Sequence, residues 1–174
     1  VILGGMVAVA GCSVEGGPDT NSPTPTPTAT PVPSPEVELV TPISGWTSYG
    51  DVRQNRMESV GQGGTLIIGF RYRIKSHDGV HNALQQVRVY DDEDTRVAID
   101  SYEDRQLIDG DGYISWENSL SFDTTGWDQG TYTTEILIED LENNTVSSQV
   151  EREFDIVSPL GPSEVKLTEV DAPD

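Results

Sequence analysis

The sequence predicts an all-β protein, a single antiparallel β-sandwich of about seven short strands. Three observations carry that prediction. Apolar residues between Glu36 and Ser158 recur with a period of two, the spacing of a strand with one buried face. Turn sequences rich in Gly, Asp and Asn separate the runs at short intervals. No stretch sustains the 3.6-residue period of a helix over about ten residues.

The elements follow in order. An opening strand is expected near Val37 to Val40. Leu66, Ile68, Phe70, Tyr72 and Ile74 then alternate with Ile67, Gly69, Arg71 and Arg73, which reads as a half-buried strand. Val87 and Val89 repeat the pattern, as do Val97 and Ile99. Ile114, Trp116, Leu120 and Phe122 continue it after a polar step at Asn118. Tyr132, Ile136 and Ile138 form the next run, and Val146, Val150, Phe154 and Ile156 the last. The turns between them are "SHDG", "YDDEDT", "DGDG", "WDQG" and "ENNT".

The segment Leu120 to Asp140, "LSFDTTGWDQGTYTTEILIED", resembles the region joining the fifth and sixth strands of immunoglobulin-like and fibronectin-type domains. The resemblance implies an Ig-like sandwich in which Tyr132 opens the sixth strand and returns its hydroxyl to nearby backbone. The Cys-Trp-Cys signature of antibody domains is absent, which excludes that subgroup. Many surface proteins share this architecture, so it implies no activity.

The sandwich occupies residues 36–158, and the flanking sequence is of another kind. Hydrophobic content over all 174 residues is 34%, below the globular norm, as expected for a core diluted by segments that do not fold. Residues 1–11 begin with the apolar run "VILGGMVAVA", too short for a bilayer-spanning helix and of the right length for the apolar part of a signal peptide. No positively charged stretch or initiator Met precedes it, so the sequence is expected to start partway through that leader. Val9-Ala10-Gly11-Cys12 resembles the lipobox of prokaryotic lipoproteins. The resemblance implies cleavage before Cys12 and a lipid on its sulfur. The protein would then sit on the extracellular face of the cytoplasmic membrane. A buried core cysteine is the competing reading, but the sequence after Cys12 is not core-forming. Residues 12–35 are Gly, Ser and Thr-Pro repeats, expected to form a disordered, extended stalk of about 3.1 Å per residue. Such Ser/Thr-Pro tracts also resemble O-glycosylated stalks. Residues 159–174 read as a polar tail.

Charge narrows the partners. With 30 Asp and Glu against 10 Lys and Arg, the net charge is −20. Such a surface repels nucleic acid and anionic headgroups. The acids are interleaved with apolar strands and lysine is scarce, a composition that resembles the proteins of salt-loving archaea. In molar salt the Debye length is about 3 Å, so this self-repulsion is screened.

Several motifs bear on sites. "DGDGYIS" resembles the centre of a calcium-binding EF-hand loop and makes Asp109, Asp111 and Glu117 candidate ligands. Placing Gly112 at position 6 leaves Leu107 and Asn118 at positions 1 and 12, so two strong ligands are missing and an acidic turn is the simpler reading. His77 and His81 share a helical metal-site spacing, but Asp78-Gly79 makes the segment a turn and no third ligand is evident. The four acids of "YDDEDT" read as a solvated loop. Asn143-Asn144-Thr145 is an N-glycosylation sequon on Asn143. Arg71, Arg73 and Lys75 share one face of a strand, and Glu117, Glu151 or Glu153 on neighbouring strands are the candidate partners. A rival reading of the stripe is a patch for an acidic glycan.

No nucleophile elbow, P-loop or dinucleotide fingerprint is present, and no catalytic residue or cofactor is assigned. A glycosidase is not excluded by residue type. The expected function is a lipid-anchored, non-enzymatic surface module that binds an envelope protein or glycan through a sheet edge or loop end. The alternative is an accessory or sensory lipoprotein that takes a small ligand or cation through its acidic loops, in a concave pocket.

Overall fold

A computed structural model describes residues 31–159 apart from residue 77. The apolar run of residues 1–10, Cys12, the Thr/Pro stretch up to residue 30, His77 and residues 160–174 lie outside the described residues. The described chain forms nine strands and one short helix: β1 (Glu36–Ile43), α1 (Asp51–Gln54), β2 (Ser59–Gly61), β3 (Thr65–Ser76), β4 (Val80–Tyr90), β5 (Arg96–Leu107), β6 (Gly112–Asp123), β7 (Gly130–Asp140), β8 (Thr145–Val146) and β9 (Val150–Val157).

Two sheets face each other. One has the order β1-β3-β6 and the other β2-β9-β7-β4-β5, with β8 paired to β7. Pairing is antiparallel except where β2 runs parallel to β9. The result is an antiparallel sandwich, as the period-two runs predict, with the Ig-like form that the resemblance over Leu120 to Asp140 implies.

The strand count is corrected in two places. Val146 and Val150 read as one run with Phe154 and Ile156, but the chain breaks there: Val146 lies in the two-residue β8 and β9 begins at Val150. β2 is an addition; its three residues present too little periodicity to register in the sequence.

The core lies where the alternation puts it. Leu66, Ile68, Phe70, Tyr72 and Ile74 of β3 point inward, with Leu120 and Phe122 of β6 beside them. Val87 and Val89 of β4, Ile136 and Ile138 of β7, and Phe154 and Ile156 of β9 meet them from the other sheet. Side chains from two inner faces interdigitate in such a layer. Tyr132 stacks between Trp127 and Phe154 at centroid distances of 5.3 and 5.9 Å. Its hydroxyl donates to Asp128 O at 2.9 Å, the corner bond that the resemblance implies.

One strand departs from its pattern. Val97 and Ile99 of β5 alternate like core residues, yet they face solvent with 37% and 48% of their surface exposed. Ile99 is opposite Arg88 and Val97 shares its face, the outer one, whereas Ala98 and Asp100 are opposite the core residues Val89 and Val87. β5 is also the edge strand of its sheet, and only Asp104 on it is buried.

A second, smaller apolar contact covers the outer side of the β1-β3-β6 sheet. Ile43 and Val52, both buried, pack over Gly69 of β3. A Cβ at Gly69 would stand 2.7 Å from Ile43 Cδ1 and 3.2 Å from Val52 Cγ2. The missing side chain lets the segment between β1 and β2 lie flat on the strand.

Candidate functional site

That segment, residues 44–58, builds one wall of a groove. Its ends are tied by Ser44 N–H donating to Asn55 O at 2.9 Å and Asn55 Nδ2 donating to Gly45 O at 2.9 Å. Asp51 Oδ2 accepts the Thr47 and Ser48 amides at 2.7 and 3.0 Å, and these bonds hold its carboxyl below the usual carboxylate range. Gly50 adopts φ +103°, a left-handed conformation suited to glycine. Trp46 and Tyr49 belong to the loop so formed.

The loop is fixed to the sheet by the basic stripe. Arg71 and Glu117 are directly opposed in the β3–β6 register. Arg71 Nη1 lies 3.5 Å from Glu117 Oε1, and Arg71 Nε lies 2.6 Å from Glu38 Oε2. The Arg71 guanidinium also sits 5.1 Å from the centre of the Tyr49 ring. Burial pulls the Arg71 pKa down, but the Glu38 hydrogen bond and the charges around it raise it overall. Glu117 is thus a partner of the stripe, as its place on a neighbouring strand predicts. Glu151 and Glu153 are not partners: they lie on β9, in the other sheet. Glu38 takes their place, because a register irregularity between Val37 and Leu39 brings it to Arg71. Arg73 stacks on the Tyr113 ring at 4.2 Å.

The opposite wall is the inner face of β5. Tyr102, Asp104 and Gln106 share that face by their spacing. Trp116, on the edge strand β6, forms the base between the walls. The groove has a volume of about 510 Å³ and is open to solvent. Tyr49 and Tyr102 are each more than half exposed, and Trp46 is 37% exposed. The site therefore joins four aromatic side chains from three separate parts of the chain.

A polar chain runs from this base into the core. Trp116 Nε1–H donates to Asp104 Oδ2 at 2.6 Å, and Gln106 Nε2 donates to Asp104 Oδ1 at 2.9 Å. The Trp116 ring lies against His81, with centroids 5.0 Å apart. His81 Nε2 is 3.0 Å from Tyr72 Oη, which also accepts from Gln85 Nε2 at 2.8 Å. Asn118 Nδ2 donates to Gln85 Oε1 at 2.8 Å. Since Tyr72 Oη accepts from Gln85, its own hydrogen is available to His81 Nε2. Burial pushes the Tyr72 pKa well up and the His81 pKa down, so both stay neutral; Asp104 and Asp140 draw His81 back only in part. His81 is thus a core residue bonded to Tyr72. Its Nδ1 is buried with no hydrogen-bond partner among the described residues.

The remaining sequence candidates are not brought together. Asp111 Oδ1 accepts the Gly79 amide at 3.2 Å in the turn before β6, whereas the Glu117 carboxylate faces Gly50 and Arg71. Asp109 lies in the same turn as Asp111. Among the described residues no group of three or more His, Cys, Asp or Glu is arranged to hold a metal ion. In the "YDDEDT" loop, Asp91 Oδ1 accepts the Glu93 and Thr95 amides at 3.0 and 2.8 Å, so the turn satisfies its own carboxylate. Asn143, in the turn before β8, donates from Nδ2 to Asp140 Oδ2 at 2.7 Å. A glycosylated amide keeps one N–H, enough for that bond.

Trp46, Tyr49, Tyr102 and Gln106 are not among the residues that motif and spacing single out. A signal for the first two is present: large aromatics in the Gly- and Ser-rich stretch "ISGWTSYG", where no strand needs them.

No protein-family model and no curated protein matches this chain. Solved structures give remote likenesses. The PKD domain of an M14-like peptidase from Thermoplasmatales archaeon SCGC AB-540-F20 is similar at 15% identity and TM-score 0.40, over 72% of this chain and 97% of that one. Bacteroides uniformis β-glucuronidase 2 is similar at 8% identity and TM-score 0.41, over 72% of this chain. A family 123 glycoside hydrolase from Clostridium perfringens is similar at 7% identity and TM-score 0.39, over 64% of this chain. The chain spans 15% of the glucuronidase and 25% of the hydrolase.

Proposed function

We propose that the protein is a lipid-anchored, non-enzymatic binding module of the cell surface, and that it takes its ligand in the groove between β5 and the edge of β6. The observation that carries the binding reading is the groove itself. Four aromatic side chains and the polar groups of Asp104, Gln106 and Asn118 converge there on one concave surface. A concave, largely apolar site with a few fixed polar groups is the usual form of a ligand pocket. The loop that supplies Trp46 and Tyr49 is held by Glu117 and Arg71, so that wall is formed before any ligand arrives. The site lies at a sheet edge, which the surface-module reading expects, and it is concave, which the small-ligand alternative expects. Its place away from the acidic loops sets aside only capture of a cation by those loops.

The anchor reading rests on Val9-Ala10-Gly11-Cys12 and the Thr/Pro stretch that follows. The ligand is an envelope component, a glycan or a protein, met in concentrated salt. Two measurements test these halves separately. Cys12→Ser should move the protein from the membrane fraction to the medium or leave it unprocessed; unchanged fractionation overturns the anchor. The full chain should bind purified envelope fragments, and Tyr49→Ala with Tyr102→Ala should abolish that binding while the variant still melts in one cooperative transition. Undiminished binding by the folded double variant overturns the groove.

A further inference from the structure

We infer that the ligand of this groove is a neutral oligosaccharide, an inference that rests on the groove being the binding site proposed above. Tyr49 and Tyr102 expose 59% and 51% of their surface, and Trp46 37%, on two facing walls. Flat aromatic faces of this kind suit a ligand that is itself apolar on one face and polar at its edge. A pyranose ring has that form: its C–H groups cover an aromatic ring while its hydroxyls point sideways.

Of the polar groups beside these rings, Asp104 is buried with both oxygens bonded. Asn118 is bonded at both ends of its amide, to Gln85 and Ser119, so Gln106 is the one with a free acceptor. Asp104 and Gln106 follow Tyr102 at every second position of the same β5 face, and Asn118 lies across from them on β6. Gln106 gives an amide N–H to Asp104, and its carbonyl oxygen has no protein donor among the described residues. That oxygen is an acceptor available to a hydroxyl.

Charge then separates the ligand classes. Both groove carboxylates are engaged: Asp104 by Trp116 and Gln106, Glu117 by Gly50 and Arg71. Neither is left as an open counter-ion for a cationic ligand, and the Tyr49 ring already carries the Arg71 guanidinium. An anionic ligand fares worse. Arg71 is matched by Glu38 and Glu117, and the chain carries −20 overall. An uncharged ligand meets neither obstacle. The groove's volume of about 510 Å³ and its openness to solvent admit more than one linked ring.

The test is a titration of the full chain in molar salt, read by tryptophan fluorescence, because Trp46 and Trp116 both line the groove. The probes are cellotetraose, mannotetraose, maltotetraose and chitotetraose, with tetragalacturonate and choline as charged comparators. At least one neutral tetrasaccharide should give a saturable change at millimolar concentration. Tyr102→Ala should weaken it roughly tenfold, and Gln106→Ala roughly fivefold, with melting temperatures unchanged. Tighter binding of tetragalacturonate or choline overturns the inference, as does the absence of a saturable change with all four neutral probes. Groove-dependent envelope binding alongside that absence would overturn the sugar while leaving the groove; envelope binding insensitive to Tyr49 and Tyr102 would overturn the groove itself.

Discussion

The backbone N–H of Gly50 donates to Glu117 Oε2 at 2.5 Å, joining residues 67 positions apart. The Glu117 side chain is fully buried, and its other oxygen lies 3.5 Å from Arg71. One carboxylate therefore holds both the aromatic loop and the basic stripe. Glu117→Ala should lower stability by roughly 1.5–3 kcal/mol, the scale for a hydrogen bond to a charged group, since Oε2 bonds Gly50 while Oε1 makes no hydrogen bond and Arg71 keeps Glu38. Urea unfolding monitors this, and the Tyr49 wall should loosen as well, seen as faster proteolysis within residues 44–58. Arg71→Glu with Arg73→Glu should destabilise further, since the new carboxylate at position 71 would face Glu38 and Glu117.

Gly69 should resist substitution. An added methyl group meets Ile43 Cδ1 at 2.7 Å, and Ile43 and Val52 are both buried. Gly69→Ala should cost roughly 1–3 kcal/mol as an overpacked site. Ile43→Val removes the colliding Cδ1, so the double variant should recover part of the loss. A double variant no more stable than Gly69→Ala alone would show that the clash is relieved some other way.

Acid should destabilise the fold through His81. Its folded pKa lies below 6.5 because burial opposes the charged imidazole, with Asp104 and Asp140 only partly offsetting it. The stability it contributes is therefore fully present above about pH 6.5 and is lost as pH falls toward the folded value, since the unfolded chain takes up the proton first. The slope in that window is at most about 1.4 kcal/mol per pH unit. Melts of wild type and His81→Gln between pH 7.5 and 5 should show a smaller loss for the variant. Parallel curves would assign the acid sensitivity elsewhere.

Salt should stabilise the protein. Asp91, Asp92, Glu93 and Asp128 border one small cavity of about 210 Å³ between the β4–β5 and β6–β7 turns. In dilute buffer these like charges repel over about 10 Å, and in molar salt over about 3 Å. The melting temperature should rise from ~0.1 M to molar salt, and Asp92→Asn with Glu93→Gln should flatten the rise. A flat wild-type profile would count against a high-salt adaptation.

Period-two alternation reveals most of the core because a strand must turn successive side chains to opposite faces. Hence Leu66 to Ile74, Ile136 with Ile138, and Phe154 with Ile156 are legible as core residues from their spacing alone. The Tyr132 corner is legible only through the resemblance of Leu120 to Asp140 to Ig-like and fibronectin-type domains, which implies the bond it makes to Asp128. Alternation groups residues by face but does not say which face is covered. Val97 and Ile99 look like core residues, yet they are exposed because they lie on the outer face of β5: Ile99 is opposite Arg88, whereas Ala98 and Asp100 are opposite the core residues Val89 and Val87.

The sequence alone determined the sandwich, the grouping of its side chains by face and the acidic character of the chain, because each is set by local spacing or composition. The tertiary structure decided the groove. Trp46 and Tyr49 come from a loop, Tyr102 from β5 and Trp116 from β6, and only the stacking of the two sheets brings them to one surface. It also decided that His81 would be a core residue bonded to Tyr72, and that Arg71 would answer to Glu38 and Glu117 but not to Glu151 or Glu153. Those pairings depend on sheet order and on the register irregularity in β1, which are fixed by packing across the whole fold and by no short stretch of it.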